Sequence, residues 1–163
     1  MMDPLSVTRL SFLQPTIRGL GEQLLQKFEN PFLRVTQGLR DWKAQATLFA
    51  QGRTTPGAIV TDAPPGYSWH EFGLAFDLAP ITALGPDWNT DHPIWKQIII
   101  AGEALGLYSG SHFGEGSIKP RPDDPHFQLT GRFPASPTDE VRALFAQGNL
   151  QAVWDAAGIG AQP

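Results

Sequence analysis

Cysteine is absent from this 163-residue sequence. Its absence excludes disulfide bonds, thiolate metal sites and a cysteine nucleophile. Any metal site must therefore be built from histidine and carboxylate side chains. The chain contains four histidines and 16 aspartates and glutamates, so such a site has ample potential ligands.

Positive charge is also scarce. The chain has 12 lysines and arginines against 16 acidic residues, which gives a formal net charge of -4 and a pI of about 5.5. No run of basic residues forms the positive patch that nucleic-acid-binding proteins use to contact phosphates. We therefore expect no nucleic-acid partner.

Long apolar segments are missing as well. The longest runs, of which Ile98 to Ala101 is one, have four residues, whereas a membrane-spanning helix needs about 20. The first 15 residues lack the basic region and the apolar stretch of a secretory signal peptide. We therefore expect a soluble protein that is synthesised in the cytoplasm and does not insert into membranes. We also expect it to be a monomer.

The pattern of apolar residues predicts a mixture of helices and strands without regular alternation, which is typical of the α+β class. The 17 glycines and 15 prolines indicate many turns and loops. Helices are predicted at about residues 15–30, 40–52, 93–105, 136–148 and 150–157. Strands are predicted at 33–37, 74–79, 107–109 and 127–130, and loops at 53–68, 80–93 and 110–125. We expect one domain over residues 1–163, with a motif-bearing core at about 33–130 and C-terminal helices at 136–158.

One carboxylate stands in an apolar context. Asp77 lies within LAFDLA, where an unpaired carboxylate is costly. His70 precedes it by seven residues, and a tight turn at Gly73 can bring the two side chains together. With His126, they offer two nitrogens and one oxygen, the usual ligands of a catalytic zinc ion whose fourth position is open to water. Taken alone, a His-Asp pair at this spacing more often occurs by chance or forms a buried Asp–His hydrogen bond.

Two motifs resemble those of a known family. The first, Ser-x-His-x-x-Gly-x-Ala-x-Asp, consists of Ser68, His70, Gly73, Ala75 and Asp77. The second, Asp-x-Pro-His-Phe, consists of Asp123, Pro125, His126 and Phe127. In this order they resemble the zinc peptidases that include D-alanyl-D-alanine carboxypeptidases and dipeptidases and phage L-alanyl-D-glutamate endopeptidases. The resemblance covers about residues 35–129.

The resemblance implies a fold and a set of roles. The fold is a small α+β domain with a central antiparallel sheet flanked by helices, as in Hedgehog proteins and D,D-peptidases. The metal ligands are His70, Asp77 and His126, and the metal is Zn²⁺. Asp123 is the general base, and Arg40 binds substrate or stabilises the developing oxyanion.

Other polar residues near these motifs have two interpretations each. Asp124 is the alternative candidate to Asp123 for the general base. Ser68 is either a hydrogen-bonding group for substrate or a structural residue, and Gln45 either shapes the substrate cleft or lies on a helix surface. Glu71 is interpreted as an exposed or salt-bridged residue, since it follows a metal ligand.

The predicted function is hydrolysis of a peptide bond in bacterial peptidoglycan, foremost the L-alanyl-D-glutamate bond. The enzyme would resemble an endolysin that reaches the cell wall after lytic release. Two alternatives stay open at this point. One is a D-alanyl-D-alanine carboxypeptidase or dipeptidase with the same metal site, and the other is a non-catalytic zinc-containing module that binds the wall.

Overall fold

The computed structural model of the chain describes residues 3–29, 32–118 and 122–160. Within these ranges the chain forms five α-helices and a five-stranded antiparallel sheet, which confirms the predicted α+β class. No helix in the described residues is long and apolar enough to cross a membrane. The chain divides into two compact units. One comprises the described residues up to Gly38 together with Ala75–Leu129, and the other comprises Leu39–Leu74 with the described residues from Thr130 onwards.

The first unit contains the sheet. Its strands are β1 (Leu33–Gln37), β2 (Ala75–Thr82), β3 (Gly85–Pro86), β4 (Tyr108–Ser109) and β5 (His126–Gln128). The spatial order is β1-β2-β5-β4, and β3 pairs with the end of β2. The α-helices of the chain are α1 (Pro4–Ser11), α2 (Pro15–Gln26), α3 (Trp42–Ala50), α4 (Pro93–Ala104) and α5 (Asp139–Ala157). Of these, α1, α2 and α4 belong to the first unit.

The register between β2 and β5 is set by the core. Phe76 lies opposite Phe127, their rings stack at 5.8 Å, and both are fully buried. Gly102 in α4 packs so closely on this pair that a Cβ at its position would overlap the Phe127 ring. Because side chains alternate along a strand, Asp77 and His126 lie opposite each other on the other face.

Helix α1 covers one edge of the sheet and was not predicted. The side chain of Arg9 donates to the carbonyl of Val35 at 2.6 Å, and the Ser6 hydroxyl accepts from the N–H of Val35 at 2.9 Å. These bonds satisfy backbone groups of the outer strand β1, which would otherwise be an open sheet edge.

The second unit is helical and is held together by aromatic residues. In α3, the Asp41 side chain caps the first turn by accepting from the N–H of Ala44 at 2.7 Å. A short 3₁₀ helix, Trp69–Phe72, packs on α5: the Phe72 ring meets the Phe145 ring edge-on at 5.6 Å, and the Trp154 indole donates to the Phe72 carbonyl at 2.8 Å.

Several predicted boundaries were wrong. Helix α5 begins after Thr138, whose side chain accepts from the N–H of Val141, and not after Ser136. By contrast, the predicted helix end at Gly148 and the new helix from about Leu150 are confirmed, because Gly148 and Asn149 leave the helical conformation and break α5, with a φ of 59° at Asn149. The predicted loop 80–93 contains the end of β2 and all of β3, because a tight turn at residues 82–85 folds the chain back on β2. The helix predicted over residues 15–30 ends earlier, at Gln26, with Lys27 as its C-terminal cap, and residues 30 and 31 lie outside the described residues.

Candidate metal centre

Asp77 and His126 form a close pair on the paired strands β2 and β5. The Oδ1 atom of Asp77 lies 3.2 Å from Nδ1 of His126. The His126 side chain is 8% exposed and that of Asp77 is 22% exposed. The pair is thus largely removed from bulk water, which strengthens any electrostatic interaction between the two groups.

The second ring nitrogen of His126 has a different partner. Its Nε2 atom lies 2.9 Å from the amide oxygen of Gln128, which can only accept a hydrogen bond. With the amide in this orientation, Nε2 donates the hydrogen, and in a neutral imidazole the lone pair is left on Nδ1. That lone pair faces the Asp77 carboxylate, so two acceptors meet at 3.2 Å. Such an arrangement is stable only when a cation, either a proton or a metal ion, lies between them.

The protonation behaviour of His126 agrees with this arrangement. Burial lowers the pKa of His126, but the hydrogen bond to Asp77 and the charges of Asp77 and Asp123 outweigh it, so the pKa is raised. Zinc ligands of this type lie about 2.0–2.2 Å from the ion, which places a nitrogen and an oxygen of a tetrahedral site about 3.3 Å apart. The observed separation of 3.2 Å fits that requirement.

His70 lies on the 3₁₀ helix of the second unit and is 3% exposed. The helix ends at Gly73, whose φ of 66° and ψ of 25° lie in the left-handed region that favours glycine. The turn predicted at Gly73 is therefore confirmed. Among the described residues, His70, Asp77 and His126 form a group of potential metal ligands, with one ligand atom of each within 4.8 Å of the others.

Glu71 organises the chain just before His70. It is 2% exposed, so the interpretation as an exposed residue is wrong. Its two carboxylate oxygens each accept from the N–H of Gly66 at 2.9 Å, and one also accepts from the N–H of Ser68 at 3.1 Å. Burial raises the pKa of Glu71 more than these bonds lower it. Glu71 thus shapes the turn that precedes His70.

Arg40 and Gln45 form a second polar network in the same unit. Arg40 donates to the Gln45 amide oxygen at 2.7 Å, and its backbone N–H donates to the His70 carbonyl at 3.1 Å. Gln45 is fully buried and donates to the carbonyl of Ala63 at 2.7 Å, so it does not lie on a helix surface as one interpretation held. Ser68 is half-buried and stands at the start of the 3₁₀ helix.

The two candidate bases differ in their surroundings. Asp123 is exposed, its N–H donates to the Gly110 carbonyl at 2.9 Å, and its carbonyl accepts from the N–H of His126 at 3.0 Å. The charge of Asp123 contributes to the raised pKa of His126. Asp124 is half-buried, and burial raises its pKa. The turn 123–126 therefore attaches Asp123 directly to a candidate ligand.

The prediction from the sequence did not include two contacts of His126. One is Gln128, which is 2% exposed and shares the strand face of His126 because it lies two residues further along β5. That spacing was a signal that could have been used. The other is Phe113, whose ring centroid lies 5.1 Å from that of His126. It follows the short 3₁₀ helix Gly110–His112 in a segment predicted to be a loop, so no periodicity indicated it.

Comparison with known proteins gives concordant results. Residues 13–98 match the family model of VanY, D-alanyl-D-alanine carboxypeptidase, a range that includes His70 and Asp77 and ends before Asp123 and His126. The peptidoglycan L-alanyl-D-glutamate endopeptidase CwlK of Bacillus subtilis (strain 168) is 33% identical over 129 residues, which cover 73% of this chain and 74% of that protein.

Two solved structures have a similar fold. The L-Ala D-Glu endopeptidase ChiX of Serratia marcescens has a TM-score of 0.55 and 22% identity, over 78% of this chain and 87% of that one. The L,D-carboxypeptidase DacB of Streptococcus pneumoniae has a TM-score of 0.50 and 20% identity, over 83% of this chain and 72% of that one. At these identities the similarity concerns the fold, and it agrees with the predicted small α+β architecture.

Proposed function

The chain belongs to the VanY family of D-alanyl-D-alanine carboxypeptidases, and from this premise we propose that it is a zinc-dependent peptidase that hydrolyses L-alanyl-D-glutamate bonds in peptidoglycan. The metal would be held by His70, Asp77 and His126. One observation carries the proposal: the Asp77 carboxylate and Nδ1 of His126 face each other at 3.2 Å, a separation that fits two ligands of one zinc ion.

The proposed ligands fit zinc in their chemistry. Two imidazoles and one carboxylate leave the fourth position of a tetrahedral ion open, as catalytic sites require. When bound, zinc would lower the pKa of a water molecule to about 7 and polarise the scissile carbonyl. The cysteine-free sequence offers no competing thiolate site.

The chain's own residues would then carry out the proton transfers. Asp123 is exposed and accessible, and it would accept a proton from the attacking water as the water oxygen adds to the carbonyl carbon. It would return that proton to the leaving amine as the carbon–nitrogen bond breaks. Arg40, positioned by Gln45, would stabilise the oxyanion, a contribution of about 3–4 kcal/mol for one donor. Ser68 would hydrogen-bond the substrate.

The choice of bond rests on the relative CwlK, whose name specifies the L-alanyl-D-glutamate bond. A second candidate, removal of the terminal D-alanine, is favoured by the description of the matching family model. In either case the partner is bacterial peptidoglycan. We extend the proposal to a monomeric enzyme that reaches the wall after lysis.

Digestion of purified peptidoglycan with the zinc-loaded protein tests the proposal, with the fragments identified by mass spectrometry. Asp123→Asn and the neighbouring Asp124→Asn form a matched pair of variants. We expect the wild type and Asp124→Asn to produce new L-alanine C-termini and D-glutamate N-termini. Asp123→Asn should produce neither. Release of free D-alanine would support the second candidate. No cleavage by a protein that binds one zinc ion would contradict the enzymatic function.

A further inference from the structure

The side chain of Gln128 is a buried polar group in the centre of the sheet. Gln128 lies opposite Ala75 in β2 and Tyr108 in β4, and it is 2% exposed. Burying an amide is costly unless its polar atoms form hydrogen bonds. Its amide oxygen lies 2.9 Å from Nε2 of His126, on the strand face that also carries the candidate ligands Asp77 and His126.

We propose that Gln128 is a positioning residue that fixes the tautomer of His126. By accepting from Nε2–H, the amide oxygen keeps the lone pair on Nδ1, the nitrogen that faces Asp77 at 3.2 Å. His126 then binds the metal through Nδ1. The inference rests on the proposed zinc site and adds the residue that prepares one of its ligands.

The ring of His126 has little freedom to choose another orientation. The Phe113 ring packs on it at 5.1 Å between centroids. A Cβ at Gly110 would lie 2.9 Å from the His126 Cβ and would overlap the Asp123 carbonyl, so the backbone approaches the histidine closely. With the ring held by packing and a metal ion bound between Nδ1 and Asp77, the Gln128 amide oxygen would hold the single hydrogen of the neutral ring on Nε2.

The opposite tautomer has a clear consequence. If the Gln128 amide were reversed, its NH₂ group would donate to Nε2 and the hydrogen would move to Nδ1, where it would bond to Asp77. Nδ1 would then have no lone pair for a metal. Partners that orient a metal-binding histidine typically change metal affinity by about 10- to 100-fold.

Nitrogen NMR of the labelled protein tests the tautomer directly. The His126 resonances are identified by their loss in His126→Gln, and the zinc-loaded protein is measured. We expect a protonated Nε2 and a zinc-shifted Nδ1. Zinc on Nε2, or an Nε2 without a hydrogen, would overturn the proposal.

Zinc affinity, measured by competition with a chromophoric chelator, tests the role of the side chain. Gln128→Met keeps the size but removes the acceptor, and we expect affinity to fall about 10- to 100-fold. Gln128→Glu restores an acceptor and should remain within a few-fold of the wild type. The matched control is Gln14→Met, which removes another buried glutamine that caps α2 through the N–H groups of Thr16 and Ile17. It should leave zinc affinity unchanged.

The outcomes separate this inference from the proposed function. Equal zinc affinity of the wild type and folded Gln128→Met contradicts the role of Gln128 while leaving the zinc site intact. Absence of zinc binding by the wild type contradicts both. Normal zinc binding without cleavage of peptidoglycan contradicts the proposed function alone, because neither the tautomer nor the affinity measurement depends on activity.

Discussion

Two regions of the chain present the candidate ligands in different ways. On the strands β2 and β5, Asp77 and His126 are placed by the same register that stacks Phe76 on Phe127 in the core. On the 3₁₀ helix, His70 depends on a turn that is closed by a buried carboxylate and a left-handed glycine. Placement by register is supported by many buried contacts, whereas placement by a turn depends on few residues. Single substitutions should therefore have different effects in the two regions: loss of zinc affinity on the strands and loss of folding stability in the turn.

The largest effect is expected from removing a ligand on the strand pair. Asp77→Ala leaves the Nδ1 lone pair of His126 without its facing carboxylate and leaves a metal with two candidate ligands. We expect zinc affinity to fall by more than the roughly 100-fold upper range for an outer partner, and peptidase activity to fall to background. Isothermal titration with zinc and the peptidoglycan digest measure both. Zinc affinity close to the wild type would show that Asp77 is not a ligand.

The next effect should appear in the turn. Glu71→Ala removes the acceptor of the Gly66 and Ser68 N–H groups, and unsatisfied buried donors cost about 1–3 kcal/mol. We expect the free energy of unfolding in urea to fall by that amount. The control is Glu29→Ala at an exposed position, where the expected change is below about 0.5 kcal/mol. Equal stability of the two variants would mean that the turn does not depend on the carboxylate.

The sequence predicted the strand region better than the turn region, and the reason is physical. Alternation along LAFDLA separates Asp77 from Phe76 and Leu78, so the faces of β2 follow from the strand period alone. The partners of Glu71 are backbone N–H groups, which leave no trace in side-chain patterns. Helix α1 is fixed by contacts with a strand about 26 residues away, and such contacts are invisible to a local pattern. The assignment of one domain and the roles of the site residues stay predictions.

A smaller effect in the turn region concerns Gly73. Its φ of 66° costs a residue with a Cβ roughly 1–2 kcal/mol, so Gly73→Ala should lower the free energy of unfolding by about that amount. Gly19→Ala is the matched control, because Gly19 lies inside α2 and a Cβ there meets nothing within 4 Å. That change should stabilise the chain by about 0.4–1 kcal/mol. In urea unfolding, the free energy should fall for Gly73→Ala and rise for Gly19→Ala. A change of the same sign in both variants would contradict the conformational argument.

The smallest effect lies outside both regions, at the exposed residue His112. The hydrogen bond to Glu103 at 2.5 Å, with a further one to Glu115 at 3.1 Å, raises the pKa of His112 against the opposing effect of burial. A folded-state pKa above the unfolded value of about 6.5 means that the stabilisation is complete below pH 6.5 and is lost as the pH rises through the folded pKa. Proton NMR should show a raised pKa that Glu103→Gln lowers. Glu103→Gln should leave the contact between His126 and Asp77 unchanged, because that pair is buried on the strands. A change in the NMR signals of both histidines would show that the two are linked.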